Sequence, residues 1–367
     1  MDRLPRWADL TLVPLVSLLF AAVISALVLL AIGQSPAEAL MVMVDGALGS
    51  PYGWGYTLYY ATSFMFTGLA VTVAFHAGLF NIGGEGQAQI GGLGVALVCL
   101  SLPWPHWTIA LIAASAGAAL FGAAWAAIPA YLQAKRGSHI VITTIMFNYI
   151  AAALLVYMLV DVLRPTGQMD PASARFPVGA QLPALNDIPG FNLIFQRPVP
   201  ANVTLFIALG MAVVVWALLW RTRLGYQIRA FGKSEAAAKY AGINPVRITI
   251  IAMLISGGLA GMMSINNVMG EAERLLQNSS EGAGFIGIAV ALMGRNHPFG
   301  VVLAALLFGF LYQGGAELGL WTTIPIEMRI VVQGLVILFT GALDMMVRMI
   351  LERVFRVFRS AKATGAA

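Results

Sequence analysis

Charged side chains are scarce in this chain of 367 residues, since Asp, Glu, Lys and Arg together make up only 10% of it. Soluble domains carry about 25% charged residues, so this chain has too few charges to cover a soluble globule of its size. Hydrophobic residues reach 59%, and the mean hydropathy is +0.84. The composition excludes an ordinary soluble protein and indicates a chain that lies in a lipid bilayer.

The chain also lacks the usual ligands and nucleophiles of an enzyme. Cys99 is its one cysteine and lies inside an apolar run, which excludes disulfides and a thiolate metal site. The histidines His76, His139 and His297 are scattered, and we predict a structural role for each and no metal site. No paired intramembrane carboxylates or Ser/His dyad are found. We therefore predict no catalytic residues.

Long apolar runs dominate the sequence, and a transmembrane helix needs about 20 such residues. The candidate segments are residues 10–32, 57–78, 82–101, 107–131, 139–160, 201–220, 248–268, 283–294, 299–320 and 326–347. The first is longer than a signal-peptide core and is interpreted as an uncleaved span. The eighth is too short to cross alone, which favours a half-helix or a re-entrant element. We predict an all-α polytopic membrane protein with about ten transmembrane segments, all within one domain covering residues 1–367.

The distribution of basic residues predicts the orientation, because Lys and Arg concentrate on the cytoplasmic side. With the amino terminus inside and ten alternating segments, 16 of the 21 basic residues lie inside. The five outside are Arg164, Arg175, Arg197, Arg274 and Arg329. Both termini are therefore predicted to be cytoplasmic. The basic net charge of +5 then reflects the inner membrane surface and does not indicate nucleic acid.

Two long connections separate the segments. Residues 161–200 are rich in proline and are predicted to form a periplasmic loop. Residues 221–247 are predicted to form the main cytoplasmic loop. In it, Ser234 is a candidate N-cap of a short helix, and Gly242 and Pro245 are candidate stop signals.

The cytoplasmic loop contains a sequence that resembles the end of a phosphate-binding P-loop, but the rest of that motif is missing. Gly232, Lys233 and Ser234 match its last three positions, whereas Gln227 stands where the first glycine is required. We therefore predict no nucleotide site in this chain, and any ATP hydrolysis must come from a partner.

Five stretches in order along the chain resemble permeases of bacterial ABC importers, in the branch that serves nucleosides and simple sugars. Residues 232–243 (Gly-Lys-Ser-Glu-Ala-Ala-Ala-Lys-Tyr-Ala-Gly-Ile) are similar to the coupling helix of these permeases, and residues 80–87 (Phe-Asn-Ile-Gly-Gly-Glu-Gly-Gln) to a signature of the branch. Residues 142–150, 256–261 and 287–300 fit the same branch.

The resemblance implies a multi-pass protein of the bacterial inner membrane that acts as one subunit of an importer. Its partners would be an ABC ATPase that holds ATP and Mg, a second permease (usually a different one) and an extracytoplasmic substrate-binding lipoprotein. No cofactor is expected in this chain. The residues assigned to coupling with the ATPase are Gly232, Glu235, Ala236, Ala237, Tyr240, Gly242 and Ile243.

Polar residues inside or beside the apolar segments are candidates for the solute pathway, because ionisable and amide groups at that depth are costly. Glu85 either contacts the solute or caps the helix that begins beside it, and Asn81 has the same two roles open. Asn148, beside Phe147, either binds a nucleoside or joins two helices. The predicted pathway residues are Asn81, Glu85, Gln87, Phe147, Asn148 and Asn266.

The sequence is compatible with three functions. The leading hypothesis is the permease subunit of an ATP-driven importer for nucleosides or related simple sugars. A permease for branched-chain amino acids is closely related. A secondary transporter driven by an ion gradient would require buried carboxylates, for which Glu85 and Asp344 are the candidates.

Overall fold

The computed structural model describes residues 12–322, 324, 328–339 and 346–353. All regular elements among these residues are helical, and the only β-type pairings are two isolated bridges. The terminal basic residues used for the orientation, such as Arg3 and Arg356, lie outside the described residues, as do Asp344 and part of the tenth segment. Within the described part of the chain, seven helices are long and apolar enough to cross a bilayer, which makes the chain a multi-pass membrane protein.

The helices begin and end at well-defined residues. They are α1 (Val13–Ala31), α2 (Pro36–Leu48), α3 (Pro51–His76), α4 (Gly84–Ser101), α5 (Trp107–Arg136), α6 (Ile140–Tyr157), α7 (Thr204–Arg221), α8 (Arg223–Lys233), α9 (Glu235–Tyr240), α10 (Pro245–Ser264), α11 (Ala283–Met293), α12 (Pro298–Trp321) and α13 (Met328–Ile337). Single π-helical segments, Met158–Val162 and Ile265–Glu271, extend α6 and α10. Residues 346–353 are also helical.

The chain divides into two compact units. The first comprises residues 1–47 and 311–367. In it, α1 packs against α13, and the buried residues of α1 recur at every fourth position, as in Ala21 and Ser25. Helix α2 was not predicted from the sequence, because it lies between the predicted apolar segments. Its Glu38 and Asp45 interrupt the apolar run, and its 13 residues are too few to span.

The second unit, residues 48–310, is built around α4, α5 and α10. These three helices approach closely because glycines face each other where they cross. A Cβ added to Gly91 of α4 would overlap the backbone of Gly261 in α10, and one added to Gly122 of α5 would overlap the Gly257 carbonyl. Small residues at helix crossings are the usual basis of helix association in membranes, where burying apolar surface from water contributes little.

Helix α3 runs along this core and connects the two ends of the unit. Near its start, Gly55 packs against Val199, and at its end the His76 carbonyl lies against Gly232. The separation of 21 positions between these contacts corresponds to about 32 Å of helix. Ser50 caps α3 by accepting a hydrogen bond from the Gly53 N–H (3.1 Å), so α3 begins earlier than the predicted segment at residue 57.

The long connection 161–200 folds over one end of this unit, opposite to α8 and α9. Its turns are short 3-10 segments rather than long helices. Ser173 and Phe176 donate backbone hydrogen bonds to the carbonyls of Leu275 (3.0 Å) and Glu273 (2.8 Å). Arg175 also pairs with Glu273 at 3.5 Å. The loop is therefore fixed to the segment that follows α10.

Candidate functional site

The turn before α4 is held by a pair of interlocked side-chain amides. Asn81, 1% exposed, donates to the Gln87 Oε1 (2.9 Å), and the Gln87 amide donates back to the Asn81 Oδ1 (3.2 Å). The Asn81 Oδ1 also accepts from the Gly83 N–H (2.9 Å), and its amide donates to the Ser256 Oγ of α10 (2.9 Å). Both predicted residues thus shape the break at the start of α4 and fasten it to α10.

Glu85 lies in the first turn of α4, is 6% exposed, and reaches across to the start of α11. Its Oε1 accepts from the Ser280 hydroxyl (2.6 Å) and the Gly282 N–H (3.0 Å), and its Oε2 accepts from the Gly284 N–H (2.9 Å). Gly282 is the N-cap residue of α11. The carboxylate therefore caps α11, and a negative charge is favourable at a helix N-terminus. It does not cap α4, because none of these three donors belongs to the start of α4.

The backbones of α4 and α11 touch at the same place. A Cβ on Gly284 would overlap the Glu85 backbone nitrogen, so only glycine allows the two helix starts to meet. The start of α11 thus meets the start of α4, and the buried Glu85 carboxylate of α4 accepts the donors of α11. Discontinuous helices whose ends meet in this way are a recurring device in transporter solute sites.

Asn148 of α6 joins the same region, whereas Phe147 does not. The Asn148 Oδ1 accepts from the Gly86 N–H and its amide donates to the Ile82 carbonyl, both at 2.9 Å. Asn148 therefore joins α6 to the start of α4, which is the interhelical one of the two roles predicted for it. Phe147 is half-buried, and its ring packs edge-on against Trp125 at 5.4 Å.

Asn266 belongs to a second polar cluster, between α3, α7 and the π-helical segment after α10, and Asn267 of that segment donates to the Ser279 carbonyl (2.8 Å) in the turn before α11. It is fully buried, and its Oδ1 accepts from the Thr204 hydroxyl (2.8 Å) and the Asn202 amide (3.1 Å). Its amide donates to the Tyr59 carbonyl (3.0 Å) and the Ser63 hydroxyl (2.9 Å). The structure therefore groups four of the predicted pathway residues, Asn81, Glu85, Gln87 and Asn148, and places Asn266 and Phe147 elsewhere.

At the other end of the unit, α8 and α9 form an exposed element, which we name the α8–α9 element (residues 223–240). Ser234 caps α9 by accepting from the Ala237 N–H (3.3 Å), and Gly242 has φ +80°, as the stop signal required. Six of the seven residues assigned to coupling are exposed, namely Gly232, Glu235, Ala236, Ala237, Tyr240 and Gly242, with Tyr240 at 97%. Gly232 packs on α3, and Ile243 is buried.

A cluster of aromatic rings and one guanidinium joins this element to the rest of the unit. The Trp220 ring lies between the rings of His76 (5.2 Å) and His297 (5.1 Å), and the Arg229 guanidinium of α8 lies 5.8 Å from it. Arg229 also donates from Nε to the Leu219 carbonyl (2.9 Å). Two scattered histidines thus share one structural role. Among the described residues, no group of three or more His, Cys, Asp or Glu side chains could hold a metal ion.

A cleft of about 620 Å³ lies beside the α8–α9 element. Its walls come from the end of α3, the end of α5, the element itself and the start of α10. Gln133, Lys233 and Glu235 are among its lining residues. The cleft therefore separates part of the element from the neighbouring helices.

The partners of Glu85 are the residues that sequence reasoning missed. Ser280, Gly282 and Gly284 belong to a turn that is separated from Glu85 by almost 200 residues. The cluster of Asn, Ser and Gly at residues 278–284 does indicate a turn, but nothing in it indicates which carboxylate it receives.

Comparison with known proteins agrees with this architecture. The profile of the family described as the permease component of branched-chain amino acid transport systems matches residues 53–341. The chain is 34% identical over 340 residues to the guanosine ABC transporter permease protein NupP of Bacillus subtilis, covering 90% of this chain and 93% of NupP. It is 33% identical over 361 residues to the nucleoside ABC transporter permease protein NupB of Lactococcus lactis, covering 97% and 96% of the two chains. It is also 33% identical over 330 residues to the glucose ABC transporter permease protein TsgB13 of Haloferax volcanii, covering 89% and 86%.

Proposed function

The chain belongs to the family of branched-chain amino acid transport system permease components, and from this premise we propose that it is the permease subunit of an ABC importer for nucleosides. The observation that carries the proposal is the similarity to NupB, which extends over 97% of this chain, and to NupP, which extends over 90%. ATP and Mg would be bound by a partner ATPase, and this chain would perform no bond chemistry.

The membrane arrangement in this proposal has about ten segments and both termini in the cytoplasm of a bacterium, with the chain in the inner membrane. The excess of basic residues on one side of the alternating segments supports it. The loop 161–200 would then face the periplasm, where a substrate-binding lipoprotein docks. The second permease of the importer would be a different chain, as the branch resemblance implies.

The α8–α9 element would meet the ATPase on the cytoplasmic side. The small side chains Ala236 and Ala237 are exposed on α9, and the rings of Tyr226 (63% exposed) and Tyr240 (97%) are exposed on the same element. Small side chains allow another protein to approach the helix closely. Fastening through Arg229 and Trp220 connects the element to α3 and α7, which is the connection that coupling requires.

The solute would pass near the junction of α4, α6 and α11. The broken start of α4 and the short helix α11 support this location, because such discontinuities form solute sites in other transporters. Glucose, which the name of TsgB13 carries, is the alternative solute class. The secondary transporter would rely on Glu85, whose carboxylate already accepts from three donors, or on Asp344, which lies outside the described residues.

Reconstitution tests the proposal directly. The chain is purified with its ATPase, second permease and binding lipoprotein, and labelled guanosine, glucose or leucine is offered to proteoliposomes. Uptake of guanosine that requires ATP and ignores proton and sodium gradients is expected. Uptake by this chain alone on an ion gradient would refute the importer, and ATP-dependent uptake of glucose or leucine in place of guanosine would refute the solute.

A second measurement tests the coupling role. Ala236→Trp enlarges an exposed side chain on α9, and Ala37→Trp makes the same change on the exposed face of α2 as a matched control. We expect Ala236→Trp to reduce co-purification of the ATPase and Ala37→Trp to leave it unchanged. Equal co-purification in both variants would contradict the assignment.

A further inference from the structure

Gln89 lies in the second turn of α4 and has no role in the proposed function described above. It follows Glu85 by four residues and Gly86 by three, so on the helix surface it lies between these two positions. Glu85 contacts the start of α11, and Gly86 contacts Asn148 of α6. Gln89 therefore lies one turn further along α4, on the side of the helix that carries these two contacts, and it is only 6% exposed.

The acceptor atom of this buried amide has no partner. Among the residues that the structure describes, none donates a hydrogen bond to the Gln89 Oε1. The neighbouring polar groups differ in this respect. Gln87 is paired with Asn81, Asn148 is held by two bonds, and Glu85 accepts three.

An unpaired buried carbonyl lowers the stability of a folded protein, so it is expected only where something else requires it. A methionine or leucine would fill the same space without this cost. We propose that Gln89, rather than Gln87, is the residue of α4 that hydrogen-bonds the transported solute, through its Oε1. This inference rests on the proposed function and specifies its site.

The chemistry of this buried, unpaired atom defines the ligand group. An amide oxygen accepts only, so the solute must present an O–H or N–H donor. Nucleosides carry such donors on the ribose hydroxyls and, in guanosine, on the base N1 and exocyclic amine. A solute without a donor at the matching position would gain nothing from Gln89.

The first experiment separates a binding role from a structural one. Gln89→Met removes the polar group and keeps the size. Ser25→Ala in α1 is the control, because the Ser25 Oγ is also buried without a partner but Ser25 belongs to the other compact unit. Both variants should have thermal midpoints equal to or above wild type in the assembled transporter. Only Gln89→Met should reduce guanosine uptake, by about 3- to 10-fold at low solute concentration.

The second experiment identifies the donor. Uptake of guanosine is compared with that of inosine, 1-methylguanosine and the 2′-, 3′- and 5′-deoxy analogues, in wild type and in Gln89→Met. For one analogue, the wild-type preference for guanosine should disappear in the variant. Preferences unchanged for all five analogues, or a lowered thermal midpoint that alone accounts for the lost uptake, would overturn the role of Gln89.

The wild-type measurements separate the two proposals. Wild-type importer that takes up no nucleoside would refute the proposed function and this inference with it. Normal wild-type uptake with unchanged analogue preferences in Gln89→Met would refute the inference alone.

Discussion

Replacing Glu85 by alanine should destabilise the protein through the start of α11. The change removes the acceptor of the Ser280 hydroxyl and of the Gly282 and Gly284 N–H groups. The hydroxyl can rotate to another acceptor, whereas the two backbone donors are fixed, with the Gly284 N–H buried and the Gly282 N–H partly buried. Each orphaned donor costs about 1–3 kcal/mol, so the expected loss is about 2–6 kcal/mol.

Glu85→Gln should have an intermediate effect. With its oxygen at the Oε1 position, glutamine can still accept from Ser280 and Gly282. Its amide nitrogen then faces the Gly284 N–H, which leaves two donors opposed. One orphaned donor corresponds to about 1–3 kcal/mol, so the order of stability is wild type, Gln, Ala.

The assay is thermal unfolding in detergent or nanodiscs, with and without formate or acetate. Either ion can occupy the space that alanine leaves and accept from the same donors, so it should raise the midpoint of Glu85→Ala as its concentration increases. Glu38→Ala, at an exposed position on α2, is the control and should resemble wild type. A Glu85→Ala midpoint equal to that of Glu38→Ala, or no response to either ion beyond that of wild type, would refute the reasoning.

Two further predictions concern packing and topology. Gly284→Ala should lower the thermal midpoint, since its Cβ overlaps the backbone of α4, whereas Gly210→Ala on α7 has open space and should leave the midpoint unchanged or raise it; equal midpoints would contradict the close contact. For orientation, Met169→Cys, 93% exposed, should react with an impermeant maleimide added outside intact cells, and Tyr240→Cys only after permeabilisation. The reverse pattern would contradict cytoplasmic termini, and Cys99 is buried and should contribute no background.

The helices were predictable to the extent that length and apolarity define them. The short eighth segment was correctly singled out, and α11 is indeed a helix of 11 residues. The cap and the stop of α9 followed from Ser234 and Gly242, since these signals act within a few residues. Helix α2 was not predicted, because only apolar runs of spanning length indicate a transmembrane helix and α2 has 13 residues.

The candidate site was predictable in its members but not in its connections. Asn81 and Glu85 drew attention as polar groups at a glycine-rich break. Their partners Ser256 and Ser280 lie 175 and 195 residues away, so no local pattern indicates them. The sequence predicts Gln87 as a pathway residue, and only the fold shows that its amide is already paired with Asn81.

The meeting of α4 and α11 at Glu85 has a consequence for which solutes can use this region. A helix start attracts anions, and transporters elsewhere use such starts to hold the carboxylate of their substrate. Here the protein supplies the counter-charge itself, with three donors already committed to it. The phosphate of a nucleotide or the carboxylate of an amino acid would have to compete with a tethered anion, whereas an uncharged nucleoside would not. Selection by charge would thus be built into the junction that holds the helices together.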